Sequence, residues 1–405
     1  MTEEQLKRRV YSVDFLRGIV MMIMLLDHTR EFVHAGALQS DPTDPSTTTA
    51  AVFFTRWITH FCAPVFVFLS GVSIYLQKTN GKSNSELSRF LWTRGLWLIF
   101  LEFTLVRFLI VFNIDYSFFG MAQVIWVIGV SMIMMAALIY LPVRVVGIAG
   151  LAMIVLHNLF DGLRVPPQIA FAGTPPPDVS QSIWIILHQP GILSPFDGSQ
   201  IFFAYPLVPW IGVMASGYAL GTVFNWKSDT RRKWMLIGGS AAAALFIVLR
   251  LINIYGDPSR WRYQTSSSHT FLSFLNVTKY PPSLLFLLMT LGPALIILAV
   301  TDTIDGKAIW QRACITFGQV PMFYYLLQWL TAHSFAVILG YLAGVDVSYL
   351  FLGLFQMGQA APPGHGFSLG VAYVAWLTGL ALLYPLCLWY GDYKRGNKHW
   401  LLSYL

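Results

Sequence analysis

Ten apolar runs follow one another near residues 15–34, 52–76, 90–112, 121–140, 143–160, 201–224, 234–254, 281–301, 314–341 and 367–391. A hydrocarbon core about 30 Å thick takes roughly 20 helical residues to cross. The pattern predicts an all-α, polytopic integral membrane protein with about ten transmembrane helices, forming a single domain over residues 1–405. No internal repeat divides the series. Two longer polar stretches interrupt it. Residues 161–200 carry Pro166, Pro167, Pro175, Pro176, Pro177, Pro190 and Pro195, which oppose regular helix. A short amphipathic surface segment is expected there between Ser182 and His188. Residues 255–280, from Tyr255 to Tyr280, read as a second outer loop of the kind that recognises substrates.

The first run breaks the pattern. Gly18 to Leu26 is apolar, but Asp27, His28 and Arg30 follow where the helix still lies at membrane depth. Each ionisable group there costs several kcal/mol unless it faces protein or water, so this helix is read as the wall of a polar site. Arg17 and His28 share one face about 16 Å apart, with Met21 and Met24 between them. Asp14 is placed to pair with Arg17. Asp27 points about 100° away from His28 and is expected to reach another helix or the substrate. The plain alternative is a packing face with Arg17 snorkelling to the membrane surface. Further along, His60 opens the second run beside Arg56. Glu102 and Arg107 lie in the third, each expected to find a partner on a neighbouring helix, with Arg107 to Asp27 one such pairing. Tyr324 and Gln328 share a face of a late helix.

Composition agrees with a membrane protein: 56% of residues are hydrophobic and 11% charged, against about 25% charged in soluble chains. The net charge of +7 reflects loop Lys and Arg rather than a nucleic-acid surface. Most of the 26 basic residues fall at Lys7 to Arg17, Lys78 to Arg94, Arg144, Lys227 to Lys233, Lys307 to Arg312 and Lys394 to Lys398. By the positive-inside rule both termini are cytoplasmic, in a multi-pass protein of the cell (inner) membrane. On that topology His28, His34, His60, His157, His188, His269, His333 and His365 fall in or near the outer half, and His399 inside. Histidine titrates near neutral pH, so the bias suggests where protons move. Cys62, Cys314 and Cys387 form no disulfide framework or metal pair and are expected as small core residues. The first run, followed by Asp-His-Thr-Arg, is expected to be retained rather than cleaved. P-loop, GxGxxG, GxSxG and HExxH patterns are absent. No metal is expected.

The segment Arg9-Val-Tyr-Ser-Val-Asp-Phe-Leu-Arg-Gly18 resembles the opening of the heparan-alpha-glucosaminide N-acetyltransferase catalytic-domain family. His60-Phe-Cys-Ala-Pro-Val-Phe-Val-Phe-Leu-Ser-Gly71 is similar to its next block. Tyr205 to Gly217, Thr278 to Leu284 and Trp400 to Leu405 resemble the bacterial branch, so the likeness covers essentially the whole chain. It implies a membrane acyltransferase taking acetyl-CoA from the cytoplasm and acetylating a sugar amine across the bilayer, with an essential histidine after the first family helix. The characterised enzyme has an Asn-Tyr pair at Asp27-His28, and its histidine falls nearer His34. The related membrane O-acyltransferases instead favour His28. The choice between the two stays open.

On this reading His28 or His34 acts as base or acyl carrier, with Asp27 and His60 orienting or compensating it. Arg17, Lys82 and Arg94 bind the donor phosphates, and Arg30, Lys279 and Tyr280 contact the acceptor. The expected activity is an acyl-CoA-dependent N- or O-acyltransfer to an extracytoplasmic sugar or glycan. The bilayer and the glycan are its partners, nucleic acid is not, and a homo-oligomer is allowed. A secondary transporter or proton-coupled exporter, which would use the same buried polar residues, is the alternative.

Overall fold

The computed structural model describes residues 10–196, 199–397, 399 and 402, and is mostly helical. The calls on Lys7, Arg8, Arg9, Lys398 and Trp400 lie outside those residues. In chain order come α1 (Tyr11–Val33), α2 (Ala50–Thr59), α3 (Cys62–Thr79), α4 (Asn84–Leu101) and, after a π-helical turn at Glu102–Val106, α5 (Arg107–Val111). Then follow β1 (Phe118–Ala122), α6 (Val124–Leu138), α7 (Val143–Leu156), α8 (Pro167–Ala170), α9 (Val179–Leu187), β2 (Gly191–Phe196) and β3 (Ser199–Phe203). The chain continues through α10 (Leu207–Leu220), α11 (Ser228–Ile252), α12 (Ser267–Leu275), α13 (Leu284–Val300), α14 (Ile309–Gln319), α15 (Pro321–Leu342), α16 (Leu354–Ala360) and α17 (Leu369–Gly396). Local chemistry sets several starts. Ser83 with Glu86 and Asp178 with Gln181 form capping boxes on α4 and α9, and Pro321 opens α15.

Helix occupies every predicted apolar run, but among the described residues six helices are long and apolar enough to cross a membrane. They are Ala50–Thr79, Val143–Phe160, Leu207–Asn225, Ser228–Ile252, Pro321–Leu342 and Leu369–Gly396. The other four runs miss that standard for visible reasons. α1 has 23 residues but carries Asp14, Arg17, Asp27, Arg30 and Glu31. α6 and α13 are apolar but only 15 and 17 residues long. α4 begins polar and changes pitch at Glu102. α11 and α17 turn Leu245, Val248, Leu251, Val374, Leu377 and Leu382 outward, as lipid-facing helices do.

The all-α expectation is corrected by a small sheet. β3 is its centre, pairing parallel with β1 and antiparallel with β2. Met121 lies opposite Phe202, which lies opposite Ile192. Within the proline-rich stretch α9 runs from Val179 to Leu187, close to the expected Ser182–His188 segment, and β2 and β3 follow.

α1 is the axis of the packing, touching α3, α14, α15 and α17. Its approach to α14 requires two glycines. A Cβ on Gly18 would overlap the Cys314 carbonyl oxygen, and one on Gly318 would overlap that of Asp14. Small residues allow this closeness between membrane helices. The main hydrophobic core is continuous from Val13 to Tyr390. All three cysteines are buried and unpaired, as expected.

Candidate active site

The second half of α1 faces a polar cavity of about 110 Å³. Met24, Asp27, His28, Glu31 and Phe32 supply one wall, and Arg56, Thr59, Cys62 and Ala63 the next. Met121 and Gln123 reach it from the end of β1, Tyr205 from the segment before α10, and Lys279 and Tyr280 from the loop before α13. Tyr325 and Trp329 complete it from α15. His28 lies against Trp329, with ring centroids 3.5 Å apart and the planes tilted by 35°. Its Nδ1 lies 3.6 Å from the Glu31 carboxylate, one turn on, which is an ion-pair distance rather than a hydrogen bond.

Asp27 stands beside His28 in a charged cluster. Arg56 donates to one carboxylate oxygen and Arg30 to the other, at 3.4 Å. Arg56 also donates to Thr59 Oγ1 at 3.2 Å. Asp27 thus reaches across to α2, as the helical offset from His28 predicts. A buried charge is tolerated when it is paired and hydrogen-bonded in this way.

The loop that brings in Lys279 and Tyr280 is held from below by Asp257. Its carboxylate accepts from the Thr278 and Ser259 backbone N–H groups at 2.8 and 2.7 Å, and from the Ser283 hydroxyl at 2.6 Å. Ser283 caps α13 in turn. The Lys279 ammonium lies 5.1 Å from the Tyr280 ring centroid, and the Tyr280 ring lies 5.3 Å from that of Tyr205.

A second cavity, of about 280 Å³, lies against the first half of α1. Its walls are mostly apolar: Phe66, Ile74, Leu98, Ile125, Ile128, Met132 and Met322. Arg17 and Arg94 add charge, and Ser70, Ser73 and Gln77 add hydrogen-bonding groups. Arg17 donates to Ser73 at 2.8 Å and to Asp14 and the Gly318 carbonyl at 3.1 Å each, so the expected Asp14–Arg17 pair is present. Met24, Val124 and Tyr325 line both cavities. On α1, α3 and α15 the residues of one cavity follow those of the other along the helix, so the two spaces stack along the bundle with a thin partition between them. The buried Tyr325 hydroxyl in that partition has no hydrogen-bond partner among the described residues.

Of the site residues expected from sequence, Asp27, His28, Lys279 and Tyr280 meet in the polar cavity, and Arg17 and Arg94 in the apolar one. Lys82 stands just behind the latter, donating to Gln77 at 2.8 Å and lying 4.3 Å over Phe90. Arg30 is buried behind Asp27. His60 is buried at the α2–α3 break, 5.4 Å from the Phe286 ring, and lines neither cavity. His34 caps α1 outside both, where its backbone pairs with Phe367.

The proposed Arg107–Asp27 pairing does not form. Arg107 instead donates to Asn113 and to the Asp115 carbonyl in its own following loop. Glu102 does reach a neighbour, accepting the Trp126 backbone N–H at 2.9 Å near the start of α6, where a helix favours negative charge.

Arg56 was noted only beside His60, and Glu31, Tyr205, Tyr325 and Trp329 were not anticipated as site residues. Glu31 is one turn beyond His28 and Asp27, so periodicity carried the signal. Tyr325 and Trp329 have the same spacing as Tyr324 and Gln328, on the adjacent face. Tyr324 and Gln328 are buried away from both cavities.

Residues 9–255 match the family described as heparan-alpha-glucosaminide N-acetyltransferase, catalytic. No curated protein matches the chain. The matched region supplies α1 to α11 and therefore most of both cavity walls.

Proposed function

The chain belongs to the heparan-alpha-glucosaminide N-acetyltransferase catalytic family, and from that premise we propose that it moves an acetyl group through the partition between its two cavities. The observation that carries the reading is their shared wall of Met24, Val124 and Tyr325. One side offers a mostly apolar channel flanked by Arg17 and Arg94, suited to an acyl-pantetheine arm with its phosphates at the basic end. The other offers an imidazole, carboxylates, a lysine and tyrosines, suited to a polar acceptor.

In this mechanism acetyl-CoA enters the apolar cavity from the cytoplasm, and an amine or hydroxyl of a sugar or glycan enters the polar one from outside. The ten helical segments cross the inner membrane with both termini inside, and residues 1–405 work as one unit. His28 takes the proton of the acceptor N–H or O–H as that atom attacks the thioester carbonyl. The Tyr325 hydroxyl donates to the oxyanion that forms. The C–S bond then breaks, CoA leaves as the thiolate, and the proton held by His28 returns to it. Glu31 holds the imidazole and stabilises its charged form. Asp27, fixed by Arg56 and Arg30, and Lys279 with Tyr280, orient the acceptor.

Purified protein in detergent, given acetyl-CoA and an amino sugar, is expected to release CoA thiol with matching acetylation of the sugar. Uptake of the sugar into vesicles with no thiol release would instead identify a transporter and overturn the reading.

A further inference from the structure

Outside both cavities, a second group of ionisable side chains gathers at the end of α7. His157 and Asp161 lie on the turn that follows this helix, and His188 arrives from the end of α9, inside the proline-rich stretch. One ligand atom from each lies within 4.8 Å of the other two. His157 is 2% exposed, and neither of its ring nitrogens has a hydrogen-bond partner among the described residues. His188 is 4% exposed, with Nε2 3.4 Å from Asp161 Oδ1 and no hydrogen bond to it. Buried imidazoles left without partners are costly and uncommon. Two such imidazoles converging on the Asp161 carboxylate make a place for an occupant that accepts lone pairs.

We propose that His157, Asp161 and His188 form a binding site for a borderline divalent transition metal of the Zn²⁺ class. Two imidazoles and a carboxylate suit such an ion better than Mg²⁺ or Ca²⁺, which favour all-oxygen shells. Tetrahedral ligation at about 2.0–2.1 Å brings donor atoms to roughly 3.3 Å from one another, so small side-chain rotations close the site. Asp161 is already oriented from behind. The Asn158 amide donates to its Oδ2 at 2.8 Å, in the manner of groups that position metal-bound carboxylates. The Asp161 side chain is 19% exposed and gives the ion a way in, and the fourth position is left to solvent.

The site would have a structural consequence. The side-chain Oδ1 of Asn158 accepts the Leu284 backbone N–H at 2.9 Å, next to the Ser283–Asp257 bond that supports Lys279 and Tyr280. A metal at His157 and His188 would tie the inserted loop to the bundle directly beside that support. The two histidines are separated by about thirty residues and most of the proline-rich stretch, so no short spacing motif announces them. The expectation of no metal rested on that absence.

The test is metal retention by the full chain in detergent. Protein stripped with a chelator, incubated with Zn²⁺ and desalted is expected to hold a single Zn²⁺ per chain and to melt at a higher temperature. Mg²⁺ should give neither effect. A His269→Ala control should behave as the parent protein. The His157→Ala/His188→Ala variant should lose the bound zinc. Should that variant fail to fold, Asp161→Asn provides the decision: its zinc affinity, read by competition with a chelating dye, should fall at least about 10-fold. Failure of the parent protein to retain zinc, or equal retention by the parent and the variants, would overturn the site. Neither result bears on the acyltransfer reading, which does not involve these residues.

Discussion

His28 and His34 occupy different places around the end of α1. His28 faces the polar cavity, packed against Trp329 and set near Glu31, whereas His34 caps the helix outside it. His28→Ala is therefore expected to lower the turnover number for CoA release by about 10²–10⁴-fold, the usual contribution of a general base. His34→Ala should leave turnover within a few-fold of the parent. The Asp27 cluster makes a separate stability prediction. Arg56→Ala would leave a buried carboxylate with only its longer contact to Arg30, and should cost roughly 3–5 kcal/mol in denaturant melts. Adding Asp27→Asn to that variant should recover part of the loss, because the unpaired charge goes with it. Single residues were legible where a costly group had to be explained at depth, as with Asp27, His28 and Arg17. They were illegible where an apolar helix offered two polar faces of equal spacing. Choosing Tyr324 and Gln328 over Tyr325 and Trp329 required knowing which face looked inward.

Helices were readable from apolar length, and each predicted run contains one. Their limits were less so, since breaks such as Val320–Pro321 lie within apolar sequence. The strands escaped altogether. β1 and β3 are five residues each and run into helical apolar segments, while β2 contains Pro195 and reads as loop. A short apolar run does not reveal by periodicity whether it is strand or helix. The contact between α1 and α14 carries the prediction at this scale. Gly18→Ala places a methyl against the Cys314 backbone, which cannot move as a flexible side chain would. Overpacking of this kind costs about 1–3 kcal/mol, so its melting temperature should fall. Because Arg17 donates to Gly318 across the same contact, the variant should also raise the KM for acetyl-CoA. An unchanged melt would show that the helices can separate without penalty.

At the scale of the molecule, the claim is that donor and acceptor approach from opposite ends of the bundle and meet at Met24, Val124 and Tyr325. Sequence implied two ends through the run from Arg17 to His28 on one face of α1. It did not imply the partition, because Val124 and Tyr325 come from helices far away in the chain. The most direct measurement uses sealed proteoliposomes with protein of determined orientation, labelled acetyl-CoA on the Arg17 side and an impermeant amino sugar on the His28 side. Labelled acetyl sugar should accumulate in the His28 compartment, with CoA left in the other, and the label should vanish in His28→Ala. Acetylation that occurs only when both substrates share one compartment would contradict the account.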